Sequence, residues 1–103
     1  MSEFTQSSLS ELLQTQRSQI LAIAAKHGAY NVRVFGSVAR GTDNAESDID
    51  FLVDYDPAKR SPWFPVGLLQ DLETLLQRKV DVATPAMLKP QIRERVLDEA
   101  VVL

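Results

Sequence analysis

Two short segments fix most of what this chain can fold into: Gly36-Ser37, then ten residues, then Asp48-Ile49-Asp50. In an extended strand, residues i and i+2 lie on one face with Cα atoms roughly 6.6 to 6.8 Å apart. Asp48 and Asp50 therefore project together, while Ile49, Phe51 and Val53 project to the opposite side. One face carries chemistry and the other carries core. Upstream, Asn31 to Phe35 (NVRVF) has the β-branched and aromatic content of a short strand. Gly36 then permits a tight turn with close backbone approach. The pattern predicts a strand, a Gly-Ser turn, and a second strand whose two faces differ completely in character.

The polar face suggests its own ligands. Two carboxylates held this close repel unless a cation lies between them. Hard oxygen donors on a short rigid element suit Mg²⁺, which accepts one or two carboxylates and completes its shell with water and phosphate oxygens. Ser37 to Arg40 can open a helical turn whose free N–H groups attract phosphate. Ser37 adds a hydroxyl, Arg40 a fixed positive charge, and Gly41 closes the turn. Ser47, beside Asp48, can hold the loop or reach a ligand oxygen. With four fixed residues each at roughly 5 to 7 % usage, an accidental match in a chain this long is on the order of one in a thousand.

Gly36-Ser37, Arg40-Gly41 and Ser47-Asp48-Ile49-Asp50 resemble the signature of the DNA polymerase β nucleotidyltransferase superfamily. Leu68 to Arg78, followed by Lys79-Val80-Asp81-Val82-Ala83, resembles the helix and third strand of its minimal members, and Leu88 to Ala100 their closing helix. The similarity runs over roughly residues 8 to 103. It implies a third carboxylate at Asp81, whose side chain should face away from those of Val80 and Val82. It further implies two Mg²⁺ ions held by Asp48, Asp50 and Asp81, with Gly36, Ser37, Arg40 and Ser47 binding ATP. Asp81 would lie nearest the incoming hydroxyl.

Composition narrows the acceptor. At 103 residues with 45 % hydrophobic content the chain is expected to be one domain spanning 1–103, with no second lobe to hold a substrate. A net charge of -3 argues against direct nucleic-acid binding. Cysteine is absent, no apolar run reaches membrane-spanning length, and residues 1–10 lack a charged, apolar leader pattern. A cytoplasmic protein is expected. Stand-alone domains of this kind resemble antitoxins paired with helical HEPN ribonucleases. That resemblance implies AMP transfer from ATP to a tyrosine of the toxin. Two other readings are a non-catalytic antitoxin that masks its toxin, and a transferase acting on small molecules such as aminoglycosides.

The expected class is α+β, a small mixed sheet with helices on one face in the order α-β-β-α-β-α. One amphipathic helix follows the Ser8 to Glu11 capping-box pattern through Leu9, Leu12, Leu13, Gln16, Ile20, Ile23, Ala24 and His27 to Gly28. Strands are expected at about 31–35, 49–53 and 79–83, with helices at about 65–77 and from 85 or 90 to 99. His27 suits a helix C-terminus, and Trp63 and Phe64 suit packing over the sheet. Arg93 and Arg95 suit a solvated helix face. Lys59 and Arg60 form a weak candidate for steering a triphosphate.

Overall fold

Alternation along the second predicted strand is realised as a sheet with two unlike faces. The computed structural model describes residues 8–42 and 47–103. The elements are α1 (Ser8–Thr15), α2 (Arg17–Lys26), β1 (Ala29–Phe35), α3 (Gly36–Arg40), β2 (Ile49–Tyr55), α4 (Val66–Leu76), β3 (Val80–Ala83), α5 (Pro90–Glu99) and β4 (Val101–Val102), with a 3₁₀ turn at Pro85–Met87. The sheet runs β3-β2-β1-β4. β1 pairs antiparallel with β2 and β4, while β2 and β3 are parallel and joined through α4. The small mixed sheet with flanking helices is the expected class.

Val34, Ile49, Phe51, Val53 and Val80 form the core face and pack with Leu9, Leu13, Ile20, Leu68, Leu72 and Leu76. Helices α1, α2 and α4 therefore cover the expected face. A smaller cluster of Leu52, Leu88 and Val96, joined by Phe35, Ala83 and Ile92, brings α5 onto the opposite face. Leu52 is the cause. It alternates with Asp50 and Asp54 on the polar face, and its buried side chain packs with Leu88 and with Val96 and Ile92 of α5. Leu68→Ala, at a fully buried position of α4, is expected to destabilise the fold by about 2 to 5 kcal/mol. Urea unfolding should show a lower midpoint with unchanged slope.

Several boundaries depart from the sequence expectation. The single helix divides at Gln16 into α1 and α2. Hydrogen bonds from Gln16 N–H to Leu12 O and from Ile20 N–H to Gln16 O, both 2.9 Å, carry the chain through the division. No Gly or Pro marks it. The capping-box expectation depends on the side chain of Ser8, which lies outside the described residues. β1 begins at Ala29 rather than Asn31 because Gly28, at φ 77°, turns the chain directly from helix to strand. Asn31 adopts φ 50° where the β1–β2 register shifts, a conformation that Asn tolerates better than most residues. Its Nδ2 donates to Asp54 Oδ2 at 2.9 Å.

The fourth strand was not anticipated. Val101–Val102 pairs with Val34 and Arg33, and Leu103 N–H donates to Val32 O at 3.0 Å. No helix among the described residues is long and apolar enough to cross a membrane.

Candidate active site

β2 and β3 share a register that puts Asp50 directly beside Asp81. Cross-strand partners share a face, so both carboxylates lie on the polar side, with Phe35 opposite Asp50 on β1. Asp48, immediately before β2, is exposed, as is Asp81. Asp50 is half-buried and has its pKa pushed up to about 6. Burial is the main cause, followed by the charges of Asp81 and then Asp48, with Arg40 pulling the other way. Asp81 and Asp48 therefore both act electrostatically on Asp50.

β3 owes its position to α4. Glu73 Oε2 accepts from Val80 N–H at 3.0 Å, and Ile49 N–H donates to Lys79 O at 3.0 Å. Arg78 donates to the Ser47 carbonyl at 3.2 Å, fixing the backbone just before Asp48. Ser47 is thus tied to the entry of β2 through its main chain.

Gly36 begins α3 at φ 74°. A Cβ placed there would collide with Asp50 Oδ2 and come within 3.3 Å of its Cγ. The sequence explains Gly36 by close backbone approach to a ligand; in the structure the close neighbour is the Asp50 side chain. Gly41, at φ 75°, caps α3 as expected, while Ser37 O accepts from Thr42 N–H at 2.9 Å. Val38 is fully buried and fastens α3 to the core.

Arg40 is not presented as a free cation. Its Nη1 donates to Glu99 Oε1 at 3.0 Å, and the same oxygen accepts from Gly36 N–H at 3.2 Å. Glu99 was missed in the sequence. It belongs to the last helix by chain position, and no local pattern links it to Gly36.

Other candidates separate from this site. Lys59 and Arg60 follow the far end of β2, about 20 Å along the strand from Asp48 at strand rise. Arg60 lies over the Tyr55 ring, 5.5 Å from its centroid. That placement does not suit triphosphate steering. His27 caps α2 and is buried, with Nδ1 2.8 Å from Ser61 Oγ and Nε2 2.7 Å from Asp71 Oδ2. It fastens the 56–65 loop to α4, and the hydrogen bond to His27 is the main reason that the Asp71 pKa falls below its ordinary value.

Phe64 packs on the core and meets Tyr55 at 4.9 Å between ring centroids, whereas Trp63 stays 76 % exposed. Packing therefore holds for Phe64 alone. Arg93 is not solvated either. It donates to Pro85 O and Leu88 O, both at 2.9 Å, and clamps the 3₁₀ turn to α5. Arg95 remains exposed.

The carboxylate donor set suits a hard divalent cation in its chemistry. Among the described residues, no three Asp, Glu, His or Cys side chains form a ready metal cage. One or two carboxylates suffice for Mg²⁺ when water and phosphate oxygens supply the rest, so the residues fit the ion without enclosing it.

Comparison with known proteins places this geometry in a family context. Residues 17–103 match the model of the family described as nucleotidyltransferase domain. Protein adenylyltransferase MntA of Thermococcus cleftensis is 37% identical over 76 residues, covering 74% of this chain and 76% of that protein. A solved structure described as a minimal nucleotidyltransferase superposes with a TM-score of 0.81 at 41% identity, covering 96% of this chain and 99% of that one. A crystal structure of a toxin-antitoxin with AMP-PNP matches with a TM-score of 0.63 at 24% identity, covering 82% of this chain and 69% of that one, and so shares the fold.

Proposed function

The chain belongs to the nucleotidyltransferase domain family as a minimal nucleotidyltransferase, and from that premise we propose that it transfers AMP from ATP to a tyrosine hydroxyl of a partner HEPN ribonuclease, acting as its antitoxin. The observation that carries this reading is the register of β2 and β3, which sets Asp50 beside Asp81 with Asp48 at the strand entry. The naming of the Thermococcus cleftensis relative as a protein adenylyltransferase supports a protein acceptor.

The chemistry follows from charge. The acceptor oxygen forms a bond to the α-phosphorus, the α–β bridging P–O bond breaks, and pyrophosphate leaves with its electron pair. Mg²⁺, when bound, neutralises triphosphate charge and stabilises the attacking and leaving oxygens together. Asp48, Asp50 and Asp81 would hold it, with Asp81 nearest the acceptor, where it takes the hydroxyl proton. Gly36 and Ser37 donate to the phosphates, and Arg40 offsets charge on the departing group. Ser47 holds the chain entering the clamp.

Turnover distinguishes this enzyme from a mask. A substoichiometric amount of the protein, incubated with the HEPN partner, ATP and Mg²⁺, is expected to add AMP units to most partner molecules, read by intact-mass spectrometry. The loss of ribonuclease activity should persist after the protein is removed. An unmodified partner, with inhibition that needs one copy per toxin and disappears on separation, would leave the masking alternative in its place.

A further inference from the structure

We infer that Glu99 is an internal stand-in for the triphosphate, a carboxylate that occupies the Gly36 and Arg40 donors before nucleotide arrives and must release them as it binds. The inference rests on the nucleotidyltransferase reading of the site and adds a competitor within it. Glu99 Oε1 accepts from Gly36 N–H at 3.2 Å and from Arg40 Nη1 at 3.0 Å. These are two of the donors that reading assigns to phosphate. One oxygen anion therefore fills the position where a phosphate oxygen would meet the same pair.

The placement of Glu99 makes little sense as local helix chemistry. It is the last residue of α5, whose C-terminal carbonyls disfavour a negative charge. No carboxylate is needed there to end the helix, since Ala100 N–H already donates to Val96 O at 2.9 Å. What holds the Glu99 side chain is the pair of donors on α3, at a part-exposed contact where Arg40 retains 53% and Glu99 23% of side-chain accessibility. Ion pairs of that exposure are weak. Arginine–phosphate bonds are charge-assisted and frequently bidentate, so a triphosphate can displace the carboxylate.

Release does not require α5 to leave. The helix is anchored independently, by Arg93 to Pro85 O and Leu88 O, and by Val96 and Ile92 against Leu52 and Phe35. Rotation of the Glu99 side chain is sufficient. The carboxylate thus keeps Arg40 and Gly36 prearranged in the empty site, and a phosphate ligand must displace it to reach them. A nucleoside without phosphates has no reason to disturb it.

Calorimetry on Glu99→Gln tests this. With Mg²⁺ present, the variant should bind ATP and inorganic tripolyphosphate about fivefold more tightly than wild type, the size of one weak ion-pair competitor removed. Adenosine affinity should not change. If wild type binds ATP while Glu99→Gln binds ATP and tripolyphosphate equally or more weakly, the stand-in role is overturned and the transferase reading survives. Failure of wild type to bind ATP or tripolyphosphate would remove both. Should the variant not fold, carboxyl carbon NMR of the wild-type protein decides: the Glu99 resonance is expected to shift together with the Gly36 amide as tripolyphosphate is added. A Gly36 shift with Glu99 unmoved contradicts displacement.

Discussion

Asp50→Asn is expected to lower AMP transfer by roughly 10³-fold or more, the equivalent of about 4 kcal/mol of transition-state stabilisation, while the protein melts at a higher temperature than wild type. The two effects have one cause. Asp50 is half-buried beside Asp81 and Asp48, and its carboxyl is raised from 3.8 to about 6. The folded state therefore binds a proton more tightly than the unfolded chain, and stability falls as pH rises through the window from 3.8 to about 6. Ionised Asp50 costs stability at pH 7, and an uncharged isostere removes that cost. Measured in chelator, the melting-temperature gain should be present at pH 7 and largely gone at pH 4. A gain that does not depend on pH, or a loss of stability at pH 7, would show that the acidic cluster is not under electrostatic strain.

Gly36→Val is expected to be more damaging to the fold than any single change in the Asp cluster. A β-branched side chain at φ 74° is strained wherever it sits, and here its Cβ would meet the Asp50 carboxylate. Transfer should fall below detection, and stability by about 2 to 4 kcal/mol. Ser37→Ala leaves the backbone intact and should cost only about tenfold in activity. Combining Gly36→Val with Asp50→Ala separates the two sources of damage. Removing the carboxylate should restore part of the lost stability while leaving the backbone strain, giving a coupling energy of about 1 kcal/mol or more in a double-mutant cycle. Strict additivity would mean that Gly36 is required for its torsion alone.

The β1–α3–β2 unit was legible because its information is local. Alternation around Asp48 to Val53 specifies two faces, and Gly36 and Gly41 mark the turns that flank α3. The facing of Asp81 could be read from its valine neighbours and its role only from the resemblance; the parallel register sets it beside Asp50. What escaped depends on long-range partners. Val101–Val102 is a strand only because β1 offers an open edge. Leu52 required a helix over the polar face, and nothing in its own neighbourhood announced α5.

Charged residues were misread for a related reason. Arg93 has the spacing of a solvated helix face, but the 3₁₀ turn before α5 leaves carbonyls within its reach. Glu99 reaches across 63 residues of sequence to Gly36, so no motif at that distance could have exposed it. The sequence suits Trp63 to packing alongside Phe64, whereas the chain turns Phe64 toward Tyr55 and leaves Trp63 outward.

The fate of the ATP phosphates tests nucleotidyl transfer most directly. With Mg²⁺ and the proposed HEPN partner present, ATP labelled at the α-phosphorus should pass its label to the partner, and ATP labelled at the γ-phosphorus should yield labelled pyrophosphate. Asp48→Ala and Asp81→Ala should abolish both signals. Label reaching the partner from the γ-phosphorus, or no transfer from either position with a folded protein and an active partner, would contradict nucleotidyl transfer.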